Sequence, residues 1–135
     1  MSHTQAIIIT CDDPATDKPL KDFCENTLNL YAVEFSLNPG GAKRIFDGYP
    51  GRDKIFNDIK KSVEANNTEK IILINHTNCI AYDSSGSFSN LDQEIHEMEI
   101  QLRHAVSETR AQFPQVVIEA YLMVMIDPVN FRKVV

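Results

Sequence analysis

Two runs of the chain, Gln5-Ala6-Ile7-Ile8-Ile9-Thr10 and Lys70-Ile71-Ile72-Leu73-Ile74-Asn75, are almost continuously apolar. A strand with water on one face alternates apolar and polar residues. A run without alternation is a strand covered on both faces, as in a parallel sheet. Each run ends on metal-type donors, the first on Cys11 and the second on His76-Thr77-Asn78-Cys79. If the two strands lie parallel in one sheet, Cys11, His76 and Cys79 emerge at the same carboxyl edge, where open α/β sheets place their ligands. One imidazole and two thiolates suit zinc, and three protein ligands leave a fourth position for water or another group.

The remaining pattern supplies the connections. Asp12-Asp13-Pro14-Ala15-Thr16 reads as a polar turn into a helix capped by Thr16 or Asp17, with Leu20, Phe23, Cys24 and Leu28 on one face. Tyr31–Leu37 reads as a second strand, stopped by Asn38-Pro39-Gly40-Gly41. A helix from about Asp53 to Ala65 carries Ile55, Phe56, Ile59 and Val63 at helical spacing. Ser84-Ser85-Gly86-Ser87 reads as a flexible loop, and Asn90 with Gln93 resembles a capping box. That box opens a long helix with a Leu91, Ile95, Met98, Leu102 and Val106 stripe, closed by Pro114 before a strand at Val116–Met125. Strands alternating with helices predict an α/β fold, a mostly parallel sheet of about four to five strands with helices on both faces.

Bulk properties narrow the class. The 135 residues suffice for one compact domain, expected over 1–135, and not for two. A composition 43% hydrophobic and 24% charged is that of a globular chain. The net charge of −6 and the absence of a basic tract argue against nucleic acid. No apolar run approaches the roughly 20 residues of a membrane span, and Met1–Gln5 lacks the basic start of a secretory signal. Cysteines at 11, 24 and 79 are an odd count. Free thiols or metal ligands in a reducing cytoplasm fit that better than a disulfide framework.

Alone, Cys11 reads as a small buried hydrophobe, and Asp13 as a turn residue that starts a helix. Cys24 falls on the apolar stripe of its helix and reads as core. His96 and His104 read as surface or partner contacts on the long helix, Lys60-Lys61 as a solvated face, and Phe131–Val135 as an edge strand or dimer contact.

In combination, the motifs resemble the β-class carbonic anhydrases. Cys11-Asp12-Asp13 is similar to the Cys-x-Asp of that family, His76-Thr77-Asn78-Cys79 to its His-x-x-Cys, and Asn38-Pro39-Gly40-Gly41 to its Asn-Ala-Gly-Gly. The resemblance runs from about residue 5 to 126. It implies zinc held by Cys11, His76 and Cys79, and Asp13 either as an acceptor beside zinc-bound water or as a fourth ligand closing the site. It also implies substrate contacts at Asn38, Gly40 and Gly41, carbon dioxide and bicarbonate as substrates, hydration by zinc-bound hydroxide, and a homodimer or higher homo-oligomer.

Three positions depart from the family pattern. Ala15 stands where an arginine usually orients the aspartate, Ile80 where a glycine follows the second cysteine, and Leu37 where an arginine is common. Arg44 or Arg52 could supply the missing cation from another direction. Two readings follow: a zinc lyase of the carbonic anhydrase type, and a diverged zinc protein, weakly active or inactive, in which Asp13 freed of its arginine rotates onto the metal. A thiol protein using Cys11 and Cys79 without metal is a third, disfavoured because Cys-x-x-Cys is missing.

Overall fold

The computed structural model of the chain describes residues 3–48, 50–78, 90–126 and 128–135. Cys79, Ile80 and the loop expected at Ser84–Ser87 lie outside them. The chain runs through β1 (Ala6–Thr10), a short 3-10 turn (Pro14–Thr16), α1 (Asp17–Asn26), β2 (Val33–Leu37), α2 (Lys43–Asp47) and α3 (Gly51–Asn66). It continues through β3 (Lys70–His76), α4 (Leu91–Gln112), β4 (Val117–Val124) and β5 (Asn130–Lys133).

The sheet order is β2-β1-β3-β4-β5. The first four strands are parallel, and β5 returns antiparallel along β4. The two apolar runs are direct neighbours, with Ile7 opposite Ile71 and Ile8 opposite Ile72. The absence of alternation is explained by two apolar layers. On one face Ile7, Ile9, Ile71, Leu73 and Leu122 pack with Ile45, Ile55, Ile59, Met98 and Leu102 from α2, α3 and α4. On the other, Ile8, Ile72, Ile74 and Met123 meet Leu20 and Cys24 of α1. Each such buried side chain contributes about 1.5–3 kcal/mol of transfer free energy, so both faces hold the strands in register.

Several boundaries differ from expectation. Tyr31 is 75% exposed and precedes β2, while its backbone amide and that of Ala32 donate to Gln5 Oε1. Thr16 stands at the expected cap position of α1 but makes no capping bond, its hydroxyl donating back to the Asp13 carbonyl at 2.8 Å. Asp13 caps the 3-10 turn that leads into α1, by accepting from the Ala15 amide. Leu28 lies beyond the end of α1, though it still packs on that face. α3 begins at Gly51 rather than Asp53, and α2 was not anticipated at all. The Asn90 cap stands, its Oδ1 accepting from the Gln93 amide at 2.8 Å. The C-terminal segment is the edge strand β5, continued by Val134 N–H donating to the Ala120 carbonyl at 2.8 Å. No helix among the described residues is long and apolar enough to cross a membrane.

Candidate metal centre

Parallel pairing of β1 with β3 sets the ends of the two strands side by side, and Cys11 and His76 arrive there, 5% and 3% exposed. The His76 ring is fixed by its own loop. Its Nδ1 lies 2.8 Å from the Thr77 carbonyl. A carbonyl only accepts, so Nδ1 carries the proton and Nε2 keeps its lone pair. That Nε2 is buried and has no hydrogen-bond partner among the described residues.

Thr77 anchors the turn twice more. Its amide donates to the Met123 carbonyl at 3.0 Å, and its Oγ1 accepts from the Met125 amide at 2.7 Å. Asn78, at φ 58°, is tied by its amide to Glu94 Oε2 of α4 at 2.7 Å. The threonine after the histidine was visible as part of a motif, but its grip on β4 was not. Glu94 carried no sequence signal beyond its place in the first turn of a helix.

Asp13 lies between its turn and the ring. Its Oδ1 accepts from the Ala15 amide at 3.0 Å, and its Oδ2 stands 4.0 Å from His76 Nε2. The position that lacks an arginine side chain therefore restrains Asp13 through its backbone, a partner that sequence comparison does not count. Neither alternative cation contacts Asp13 among the described residues. Arg44 Nε donates to the Pro39 carbonyl at 2.8 Å, and Arg52 pairs with Glu108 at 3.6 Å. Burial disfavours the charged imidazole, but the Cys11 thiol, the Thr77 carbonyl and the Asp13 carboxylate outweigh it and hold the His76 pKa above its ordinary value.

The Asn38–Gly41 turn forms the neighbouring wall. The Asn38 amide donates to the Thr10 carbonyl at 2.9 Å, and Gly41 N–H closes the turn on the Asn38 carbonyl at 2.8 Å. Gly41, at φ 58°, is wedged between the strand ends. A Cβ there would lie 2.5 Å from the Ile74 carbonyl oxygen and 3.1 Å from the Cys11 nitrogen. Gly40 also has positive φ, 82°. The Asn38 side chain is 4% exposed; its Nδ2 donates to Ser36 Oγ at 3.0 Å and its Oδ1 accepts from Lys54 Nζ at 2.9 Å. These bonds tie the Asn38 side chain to β2 and to α3.

A buried imidazole with one nitrogen oriented by a carbonyl and the other bare, beside a buried thiol and a carboxylate, has the chemistry of a zinc donor set. Two donors on one tetrahedral zinc stand about 3.3 Å apart, so the 4.0 Å between Asp13 Oδ2 and His76 Nε2 is close to that spacing. Among the described residues no group of three or more such side chains is assembled tightly enough to hold an ion, and Cys79, the third expected donor, lies outside them.

A family model described as "Putative carbonic anhydrase" matches residues 1–127. The chain belongs to that family. This carbonic anhydrase relative also shares the β-class fold. The β-carbonic anhydrase isoform I of Trichomonas vaginalis superposes with a TM-score of 0.65 at 13% identity, covering 100% of this chain and 85% of that one. CafD of Aspergillus fumigatus gives 0.62 at 11% identity, covering 100% and 91%. CafA of the same fungus gives 0.57 at 14% identity, covering 98% and 76%. At such identities the likeness is one of fold. No curated protein sequence matches the chain.

Proposed function

We propose that this carbonic anhydrase-like chain binds zinc through Cys11, His76 and Cys79 and hydrates carbon dioxide reversibly to bicarbonate. The observation that carries the proposal is the buried, unpartnered His76 Nε2 beside Cys11 and Asp13. Zinc, when bound, supplies a water acidified to a pKa of about 7. The chain's own groups do the rest. The Thr77 carbonyl keeps the imidazole proton on Nδ1, so Nε2 faces the site as a donor. Asp13, held at Oδ1 by the Ala15 amide, presents Oδ2 as the acceptor that orients the water proton away from its attacking lone pair. The burial of Cys11 and His76 excludes bulk water and strengthens each of these interactions.

The 4.0 Å approach of Asp13 Oδ2 to Nε2 supports a second reading, in which Asp13 takes the fourth position and the protein is a zinc-stabilised fold without hydration activity. Metal analysis with stopped-flow carbon dioxide hydration from neutral to alkaline pH separates the two. Stoichiometric zinc with hydration at neutral pH supports the enzyme. Zinc with activity only at alkaline pH, or none, supports Asp13 as ligand, and a metal-free active or inactive protein refutes both. The resemblance extends the proposal to one 135-residue unit acting in the cytoplasm as a homodimer or higher homo-oligomer, which light scattering tests.

A further inference from the structure

α3 and α4 each end shortly before a strand begins, α3 before β3 and α4 before β4, so both helix ends lie toward the amino edge of the sheet. That edge is opposite the one that carries Cys11 and His76. Between the outer face of α3 and the end of α4 lies a cavity of about 460 Å³, lined by Phe56, Asn57, Lys60, Val63, Glu64 and Phe113 among others. Its volume is within the range of roughly 300–1,000 Å³ typical of small-molecule sites. The floor is apolar. Phe56 and Phe113 meet edge to face with ring centroids 5.8 Å apart, and with Val63 they are half-buried against the core. The rim is polar and open to solvent, since Asn57, Lys60, Glu64 and Gln112 are all exposed.

The charges on that rim specify a chemistry. A lysine followed one helical turn later by an acid recurs in this protein, and elsewhere the pair closes: Lys18–Asp22 at 2.8 Å, Lys43–Asp47 at 2.7 Å, and Lys54–Asp58 of α3 itself at 3.0 Å. Lys60 and Glu64 have the same spacing, yet neither forms an ion pair among the described residues. Glu64 also stands in the last turn of α3, which holds no basic residue, so it meets the negative end of the helix dipole. A cation placed there answers both. A ligand that is only a cation is opposed by Lys60, and one that is only an anion is opposed by Glu64. A molecule carrying both charges side by side matches the two residues at once, and an apolar ring on it covers Phe56, Val63 and Phe113.

We propose that the groove between α3 and the end of α4 binds small aromatic zwitterions, a free aromatic amino acid being the simplest. The ammonium lies on Glu64, the carboxylate on Lys60 and the ring on the Phe56–Phe113 floor. The site shares no residue with the metal centre and needs no metal.

Three probes that share a ring and differ in charge test this: phenylalanine, hydrocinnamate, which lacks the ammonium, and phenethylamine, which lacks the carboxylate. Each is titrated into the full-length protein as isolated, with backbone amide shifts as the readout. Phenylalanine gives saturable shifts at Lys60, Glu64, Gln112 and Phe113, and leaves Thr10 and Thr77 at the opposite edge unmoved. Hydrocinnamate and phenethylamine bind about 2- to 5-fold more weakly, the contribution of one exposed charge contact. Alanine, a zwitterion without the ring, also binds more weakly than phenylalanine. Glu64→Gln weakens phenylalanine about 2- to 5-fold and does not weaken hydrocinnamate. Lys60→Gln weakens phenylalanine to the same degree and does not weaken phenethylamine. Both side chains are exposed and outside any ion pair among the described residues, so each variant melts with the parent. An absence of saturable shifts, equal binding of the three ring probes, shifts centred elsewhere, or a variant that weakens every probe alike would overturn the proposal. So would clear destabilisation by either substitution, since that result assigns the charge a structural partner. Zinc content enters none of these outcomes, so a failure here and a failure of the zinc proposal are told apart.

Discussion

In the amino half of the sheet, Lys70 Nζ meets Glu119 Oε2 at 3.0 Å and the Tyr121 hydroxyl donates to Glu119 Oε1 at 2.7 Å. At the carboxyl edge of the same strands, the Thr10 hydroxyl and His76 Nε2 are more deeply buried and have no such partner among the described residues. Both regions place polar groups on apolar strands. One answers them internally and thereby adds stability, whereas the other leaves them unanswered among the described residues. Folding alone would favour matching both, so the mismatch supports the metal site proposed at that edge.

The comparison breaks most readily at His76. His76→Ala is expected to reduce zinc affinity more than about 100-fold, beyond the 10- to 100-fold typical of groups that merely support a ligand. Competition with a chelator measures it, and retained stoichiometric zinc would refute the site. Gly41→Ala should cost about 2–3 kcal/mol of unfolding free energy in denaturant titration, because the new Cβ meets the Ile74 carbonyl at 2.5 Å in a backbone of positive φ. A neutral result there would mean the strand ends are not wedged by this turn.

In the amino half the signs reverse. Glu119→Gln should cost about 1–2 kcal/mol while leaving zinc content unchanged, since Lys70 loses its counter-ion. Burial pushes the Glu119 carboxyl up, but the Tyr121 and Lys70 bonds prevail and hold it below the usual carboxylate range. Its contribution is therefore complete above the unfolded value of about 4.3 and is lost as pH falls through the depressed folded value. The stability gap between parent and variant should accordingly close on acidification from pH 6 to 3. Smallest is Thr77→Val, which removes the acceptor for the Met125 amide and should cost about 1 kcal/mol with a modest loss of zinc affinity. If Thr77→Val affected zinc as strongly as His76→Ala, the division between donor and support would collapse.

The sequence carried the strands of this fold plainly, because an uninterrupted Ile-rich run has few other uses. It also carried the β1–β3 adjacency, since one ion cannot draw ligands from distant strands, and the Asn90 cap, a purely local device. It was silent on α2. That helix has five residues and no side-chain cap, and it is held by the burial of Ile45 at 1% exposure, a tertiary effect. At the candidate site, Cys11 and His76 were legible by residue type. The restraint on Asp13 was not, because its partner is a backbone amide that every residue but proline possesses. The same holds for the Thr77 carbonyl that orients the imidazole. Thr10 carries no signal of its own in the sequence, because a threonine ending a strand is common, and only the fold shows its hydroxyl without a partner among the described residues.

Among the described residues the two helical layers are unequal, three helices on one face and α1 on the other. Partial opening should begin where least apolar surface is lost, so α1 is expected to detach before the opposite layer loosens. Asp13 and Ala15 lie on the short lead into α1, whereas Cys11 is packed with the thicker layer. A transient departure of α1 would therefore free the carboxylate while the thiol and imidazole stay in place. The hydrogen-exchange lifetime of the Ala15 amide becomes a clock for that event, reporting how long Asp13 stays oriented between openings.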